Sequence, residues 1–146
     1  MNDASLLERN KAIVRRCIDE VWNGGDMGVI AEIVDPSFRR HHERNQDQDA
    51  HGLEGFTAWV REVRNGMPDL KVSIVLMVAE NDRVMVHLQC SGTHQGALKG
   101  VAASNTPLAF TMTAIVRLAE EKLRECWAIA DTLGILQRLG AVASLG

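Results

Sequence analysis

Asp131 is the residue of this sequence whose position most strongly suggests chemistry. It ends an alternating stretch that begins at Leu123 and includes Trp127 and Ile129 at every second position. Because side chains alternate along a strand, we expect Asp131 to share one face with that Trp and that Ile. A carboxylate among apolar side chains has a raised pKa, which suits a general acid or base near neutral pH.

The same carboxylate has a second interpretation as a helix cap. Three leucines recur at helical spacing between Thr132 and Leu139, which predicts a short helix, and Asp is a favoured residue just before a helix. The Glu or Gln of a capping box is missing, since Gly134 stands in its place. Both interpretations stay open at this point, and they do not exclude each other.

A second group of candidates lies in the polar stretch from Ser37 to Gly52, which holds three of the five histidines. These histidines are His41, His42 and His51. Because few residues here are apolar, we expect a solvated loop that forms either a pocket rim or plain surface. A metal site is a third option, but adjacent histidines would point apart on a strand, so we predict no metal.

Length and composition limit the remaining possibilities. The 146 residues predict one domain over 1–146, large enough for a core and a pocket. The net charge of -3 and the absence of a basic stripe give no reason to expect nucleic acid as a partner. No stretch is long and apolar enough for a membrane span, and the first residues do not resemble a signal peptide. Three widely spaced cysteines favour reduced thiols and a cytoplasmic location.

The hydrophobic pattern predicts helices first and strands later. We expect helices over Leu6–Trp22, Asp26–Val34 and Gly52–Gly66, then strands over Lys71–Ala79, Arg83–Thr93, Leu108–Leu118 and Leu123–Asp131. This order is typical of an α+β fold rather than an alternating α/β fold. A curved antiparallel sheet covered by the amphipathic helices would enclose a pocket for a small molecule.

Several short motifs resemble one family over most of the chain, from about Asn10 to Gly140. The chain resembles the SnoaL-like polyketide cyclases of the nuclear transport factor 2-like superfamily. The residues that carry the resemblance are Asn10-Lys11, Val21-Trp22-Asn23-Gly24-Gly25-Asp26, Phe38 with His41, Gly52-Leu53-Glu54-Gly55-Phe56, Pro68-Asp69-Leu70, Asp82-Arg83-Val84, Gly92-Thr93-His94-Gln95-Gly96, Trp127 with Asp131, and Leu133-Gly134-Ile135-Leu136-Gln137-Arg138-Leu139-Gly140.

The resemblance implies a cone-shaped α+β fold, a pocket under a helical lid, chemistry without a cofactor, and a homodimer. In cyclases of this family an acidic residue is the general acid/base of an intramolecular aldol closure, and Asp131 matches that residue. His41 and His94 match histidines of the family pattern, so we expect them in the pocket, where they would orient or polarise a carbonyl. The sequence departs from the pattern at Ala128 and Ala130, where the family often has acidic, polar or aromatic residues.

Flat apolar side chains would then form the walls for an aromatic or other apolar substrate that carries a carbonyl group. We expect this substrate-binding role for Trp22, Phe56, Trp59 and Trp127. The function expected first is therefore a cofactor-independent cyclase or isomerase. The alternatives are a hydrolase of epoxides or esters that uses Asp131 to activate water, and a small-molecule binding protein without catalysis.

Overall fold

A computed structural model describes residues 3–42 and 45–144. Within these residues the helical elements are α1 (Ala4–Arg16), a π-helical segment (Cys17–Asn23), a 3-10 turn (Met27–Val29), α2 (Ile30–Ile33), a second 3-10 turn (Gln46–Gln48), α3 (Gly52–Gly66) and α4 (Thr132–Arg138). The expected helix over Gly52–Gly66 is confirmed at both ends. The expected first helix is confirmed, but its C-terminal part, Cys17–Asn23, is π-helical.

The strands form one six-stranded sheet in the order β2-β1-β6-β5-β4-β3. They are β1 (Val34–His41), β2 (Ala50–His51), β3 (Lys71–Glu80), β4 (Arg83–Thr93), β5 (Pro107–Ala119) and β6 (Lys122–Ala130). The four long strands β3 to β6 pair antiparallel, as expected. The sheet is mixed, however, because β1 pairs parallel with β6.

Strand β1 corrects the expectation that residues 37–52 form a loop. Its side chains alternate, with Phe38 buried in the core and Arg39 and Arg40 partly exposed on opposite sides. The hydrophobic pattern of the sequence does not predict this strand, because most of its side chains are polar. Those on one side form ion pairs, and those on the other side border a cavity. The expected loop is therefore limited to the short connection between β1 and β2, of which Glu43 and Arg44 lie outside the described residues.

A β-bulge in β6 decides which side chains face the core. Leu118 pairs with Leu123, whereas Arg117 pairs with Glu125, so Arg124 is the extra residue. Beyond this bulge, the side chains of Cys126 and Ala128 are buried in the core. Since one extra residue moves the following side chains to the opposite face of a strand, Leu123 and Trp127 do not share a face.

Polar side chains fasten the helices to the sheet close to the cavity. The side chain of Asn23 exchanges two hydrogen bonds with the backbone of Val72 on β3, at 2.9 and 2.7 Å. Arg64 of α3 donates to the carbonyl oxygens of Trp22 and Asn23 at the end of the π-helical segment. These bonds satisfy carbonyl groups that a helix end leaves unpaired, and they fix the position of Trp22.

No helix in residues 3–42 or 45–144 is long and apolar enough to cross a membrane.

Candidate active site

A cavity of about 860 Å³ lies between the inner face of the sheet and the helices. All six strands contribute to its wall, together with α1, the π-helical segment, α3 and α4. Cavities of this size enclose most of the surface of a drug-sized molecule. The cavity is therefore large enough for a compound with several rings.

Small side chains on the sheet create this space. Ala114 on β5 and Ala128 on β6 are direct neighbours across the two strands. Together with Cys126 and Ala130, Ala114 lines the cavity wall. Leu or Ile in place of Ala114 or Ala130 would fill part of this volume.

Three aromatic side chains line the helical side of the cavity. They are Trp22, Phe56 and Trp59. The sequence predicts a substrate contact for all three. The rings of Trp22 and Trp59 meet edge to face at 4.9 Å, and those of Phe56 and Trp59 meet at 5.8 Å. Such packing fixes the ring planes and gives the cavity a rigid apolar surface.

The cavity wall also contains polar residues. Several of these lining residues are exposed to solvent, which marks where the cavity reaches the surface. The guanidinium of Arg40 lies over the ring of Trp59, with Cζ 4.5 Å from the ring centroid. The polar lining residues are Arg40, His42, Gln48, Asp49, His51, Glu62, Lys99 and Thr132.

The carboxylate of Asp49 is occupied by protein partners. Its Oδ1 accepts from the backbone N–H of His42 at 2.6 Å, and its Oδ2 accepts from Nη2 of Arg39 at 2.8 Å. The hydrogen bond from the His42 N–H and the charge of Arg39 lower the pKa of Asp49. Asp49 therefore stays ionised and holds the segment between β1 and β2 against the rim.

Asp131 lies beside the rim, and this corrects its expected placement in an apolar pocket. Its side chain is exposed, and Oδ1 accepts from the backbone N–H of Gly134 at 3.0 Å as the N-cap of α4. The capping interpretation is thereby confirmed. The flanking residues Ala130 and Thr132 do line the cavity, so the carboxylate lies next to the wall without forming part of it.

His41 and Trp127 lie on the outer face of the sheet, which corrects the sequence-based prediction that both contribute to the pocket. They are neighbours on the parallel strands β1 and β6, and neither lines the cavity. Nε2 of His41 donates to the Glu125 carboxylate at 2.8 Å. The alternation of β1 explains this placement, because the adjacent Arg40 and His42 face the cavity instead.

His94 is fully buried, but it bonds to the protein and does not line the cavity. Its Nε2 donates to the carbonyl oxygen of Val101 at 3.2 Å, and its Nδ1 is 2.8 Å from Oγ of Ser104. These bonds close the loop of residues 95–106. Leu98 and Lys99 of this loop line the cavity, so His94 acts on the cavity wall through the loop.

Comparison with known proteins identifies the family of this chain. The model of the SnoaL-like polyketide cyclase family matches residues 12–139. The chain belongs to this family. No curated protein sequence matches the chain.

Solved structures agree with this assignment, and the SnoaL-like chain shares the α+β fold of the nuclear transport factor 2-like superfamily. A protein from Jannaschia sp. CCS1 assigned as a SnoaL-like polyketide cyclase is 25% identical, with a TM-score of 0.88 over 97% of this chain and 99% of its own. AclR from Streptomyces galilaeus, assigned as a hydroxylase, is 22% identical, with a TM-score of 0.83 over 96% and 86% of the two chains. TsrD from Streptomyces laurentii is 21% identical, with a TM-score of 0.82 over 92% and 97%.

The cavity of this SnoaL-like protein also has polar residues that the sequence did not single out. Glu62 lies three residues after Trp59 on α3, and Arg40 lies two residues after the buried Phe38 on β1. Helical spacing from Trp59 could have identified Glu62, and strand alternation from Phe38 could have identified Arg40. Thr132 lines the cavity too, and its buried Oγ1 has no hydrogen-bond partner among the described residues.

All three cysteines line the cavity as free thiols. Burial raises the pKa of Cys17 and of Cys126 to about 12, and that of Cys90 to about 11. Nucleophilic attack needs a thiolate, so these thiols serve as apolar wall. The described parts of the chain contain no group of three or more His, Cys, Asp or Glu side chains placed to hold a metal ion.

Proposed function

We propose that the cavity binds an apolar or aromatic small molecule with a carbonyl group and catalyses cyclase-type acid–base chemistry on it without a cofactor. The observation that carries the proposal is the cavity of about 860 Å³, whose wall combines aromatic side chains with a smaller number of polar ones. An apolar ligand body gains free energy from burial against such walls. Its polar end would lie beside the polar side chains of the wall, within reach of titratable groups.

The proposed reaction is an intramolecular aldol closure. A base removes a proton from the carbon next to one carbonyl, and the resulting enolate carbon attacks a second carbonyl of the same molecule. A new carbon–carbon bond forms, and the alkoxide takes the proton back from the base. Folding the flexible substrate into an attack geometry supplies much of the rate acceleration.

The base that we propose is Asp131, which matches the acidic residue of the family pattern. Its carboxylate would have to turn from the Gly134 N–H toward the adjacent cavity wall. Glu62 is the alternative base, since it lines the cavity without such a movement. We assign the role of hydrogen-bond donor to the enolate oxygen to Thr132, because His41 and His94 bond to protein groups away from the wall.

Deuterium exchange tests both the chemistry and the base. Tetralone, a bicyclic aryl ketone, exchanges its α-protons slowly in D2O, and NMR follows the exchange. The wild type should accelerate it, and Asp131→Asn should lower the acceleration by about a hundredfold or more. Asn remains a good helix cap, so this loss would report on the base. Glu54→Gln, on the exposed side of α3, is the matched control for Glu62→Gln.

The outcomes of this experiment assign the function. Loss of exchange in Glu62→Gln, with Asp131→Asn still active, would move the role of base to Glu62. Binding of tetralone without any acceleration by the wild type would favour the alternative of a binding protein without catalysis. That alternative has support of its own, because the carboxylate of Asp131 is exposed and occupied as a cap.

We further propose that the protein is a cytoplasmic homodimer, with its two copies packed through the outer face of the sheet. This face carries Leu76, Val78, Ile115 and Ile129, each at least 40% exposed. An exposed apolar patch of this kind is typical of an interaction surface. At the border of this patch, Glu125 pairs with both His41 and Arg117 of the same chain. The same face of a second copy could therefore pack against it without bringing unpaired like charges together. The cytoplasmic location rests on the free buried thiols.

Light scattering after size-exclusion chromatography measures this dimer. The wild type should have twice the chain mass of 16.1 kDa. Ile129→Glu should convert it to a monomer, because a charge would be buried in the interface. Leu133→Glu is the matched control, since Leu133 is also exposed but lies on α4. A monomeric wild type would refute the proposal.

A further inference from the structure

One part of the cavity wall consists of side chains that contain neither nitrogen nor oxygen. The long strands β3 to β6 supply these side chains, which we call the apolar floor. In the part of the chain that the structure describes, every lining residue of these four strands is Val, Leu, Ala, Phe, Met or Cys. The polar residues His87, Gln89 and Thr113 of the same strands do not line the cavity, because side chains alternate between the two faces of a sheet.

Ala114 marks the centre of the apolar floor. It lies opposite Val86 on β4 and Ala128 on β6, and Met112 and Val116 flank it on the same face of β5. Because β5 pairs with a strand on each side, its main-chain donors and acceptors are used within the sheet. A ligand atom above Ala114 therefore finds a hydrogen-bond partner neither in the side chains of the floor nor in the backbone of β5.

Two thiols show that the floor is shielded from water on both sides of Ala114. Cys90 lies on β4 and Cys126 on β6, and both line the cavity. Burial raises the pKa of Cys90 to about 11 and that of Cys126 to about 12. A ligand hydroxyl on this surface would lose its water and gain no partner, which costs free energy.

The polar groups of the cavity wall lie on other elements. Glu62 is on α3 and Thr132 is the first residue of α4, while the others belong to the segment from β1 to β2 and to the turn of residues 98–101. The proposed chemistry uses Thr132 as a donor and Asp131 or Glu62 as the base. The reacting carbonyls therefore lie beside these groups, and the remainder of the substrate extends over the apolar floor.

We propose that this cavity selects substrates whose hydrogen-bonding groups all lie at one end, and that Ala114 is a specificity-determining residue for this selection. The inference rests on the proposed function, since it narrows the class of small molecule that the same cavity takes. Both carbonyls of the aldol closure belong to the polar end, and the opposite end is unsubstituted hydrocarbon. A compound with oxygen at both ends binds poorly, because one of its polar groups lies on the floor without a partner.

Calorimetric titration with three related ketones tests this selection. Acetylnaphthalene is the parent compound, and two derivatives carry a methyl or a hydroxyl group on the ring remote from the ketone. The methyl and hydroxyl groups are similar in size, so this pair separates polarity from volume. We expect the wild type to bind the methyl compound at least as tightly as the parent, and the hydroxyl compound at least about tenfold more weakly than the methyl compound. Since ketone and hydroxyl lie at opposite ends, this holds for either orientation of the ligand.

A serine on the floor should restore binding of the hydroxyl compound. Ala114→Ser supplies a partner at the centre of the floor, so it should bind the hydroxyl compound at least about fivefold more tightly than the wild type does, without a gain for the methyl compound. Ala109→Ser is the matched control, because Ala109 is exposed on the same strand and does not line the cavity. If Ala114→Ser folds poorly, Cys90→Ser places a hydroxyl on the neighbouring strand and should give the same gain. Circular dichroism checks that each variant is folded.

The outcomes also separate this inference from the proposed function. Equal affinity of the wild type for the methyl and hydroxyl compounds would overturn the inference and leave the proposed function in place. The inference would also fall if neither folded floor variant improved binding of the hydroxyl compound, or if Ala109→Ser improved it equally. Failure of all three ketones to bind the wild type would overturn both proposals. Selective binding without acceleration of tetralone exchange would overturn the chemistry alone.

Discussion

The imidazole of His41 lies parallel to the indole of Trp127, with ring centroids 4.8 Å apart and planes 7° apart. The two residues are direct neighbours on the parallel strands β1 and β6. Glu125 accepts from Nε2 of His41 at 2.8 Å and from Nε of Arg117 at 2.6 Å. These contacts connect β1 to the antiparallel part of the sheet from its outer side, while Arg40 occupies the inner side.

Glu125→Gln should lower the free energy of unfolding by about 1 kcal/mol at neutral pH. The hydrogen bond from His41, followed by that from Arg117, lowers the pKa of Glu125 below its ordinary value of 4.5. A depressed pKa in the folded state stabilises the protein above the unfolded pKa, and this contribution disappears as the pH falls through the folded value. The difference between wild type and variant should therefore shrink below pH 4.5 in urea denaturation.

Glu121→Gln is the control for this prediction. Its carboxylate is 71% exposed and 3.8 Å from Arg9, so its removal should change stability much less than that of Glu125. A difference between wild type and Glu125→Gln that stays constant into strong acid would contradict the role of the ionised carboxylate.

Elements with a clear hydrophobic period could be predicted from the sequence. The helix Gly52–Gly66 was predicted within its observed bounds, and the β3–β4 hairpin is confirmed. Strand β1 could not be predicted, because its polar side chains are satisfied by partners distant in sequence, such as Glu125 for His41. Hydrophobic periodicity identifies strands that bury apolar side chains. Strand β1 is instead held largely by pairing with β6 and by ion pairs, which the periodicity does not detect.

The candidate site was harder to predict than the fold. The bulge at Arg124 moved the side chains beyond it to the opposite face, so the expected neighbours of Asp131 lie outside the cavity. Nothing in the local sequence marks that extra residue. Glu62 could have been found, because it follows Trp59 at helical spacing. The aromatic wall could be predicted, because Trp22, Phe56 and Trp59 belong to the apolar stripes of the helices that the sequence predicts over Leu6–Trp22 and Gly52–Gly66.

Asp131→Ala should lower the free energy of unfolding by about 1 kcal/mol, because the Gly134 N–H loses its acceptor. The thermal midpoint should fall by roughly 3 °C. Asp131→Asn should keep nearly the wild-type midpoint, since Asn also caps helices. Differential scanning calorimetry at neutral pH compares the three proteins. A midpoint that falls equally in both variants would mean that the negative charge, rather than the cap, stabilises α4.

The cavity thiols should react slowly in the folded protein. Their pKa values of about 11 to 12 leave almost no thiolate at mildly alkaline pH, so labelling by an aromatic disulfide reagent should be at least about a hundredfold slower than for free cysteine. In denaturant all three cysteines should react at once. Bound acetylnaphthalene should slow the native reaction further. Rapid native labelling would mean that reagent and water enter the deep cavity freely.

His94→Ala should loosen the loop of residues 95–106 rather than remove a reacting group. The buried ring bonds to Ser104 and to the carbonyl of Val101, so its loss should lower the free energy of unfolding by about 2–3 kcal/mol. Hydrogen exchange of the loop amides should rise. Acetylnaphthalene binding should weaken, because Leu98 and Lys99 of this loop form part of the cavity wall.

Ser104→Ala separates the loop from the chemistry, because it removes one of the two hydrogen bonds of the His94 ring and keeps the imidazole. If His94 acts through the loop, both variants should reduce tetralone exchange in proportion to their loss of ligand binding. A His94→Ala protein with normal loop protection and normal binding, but without tetralone exchange, would contradict this. The imidazole would then have to leave Val101 and reach the substrate, as first expected from the sequence.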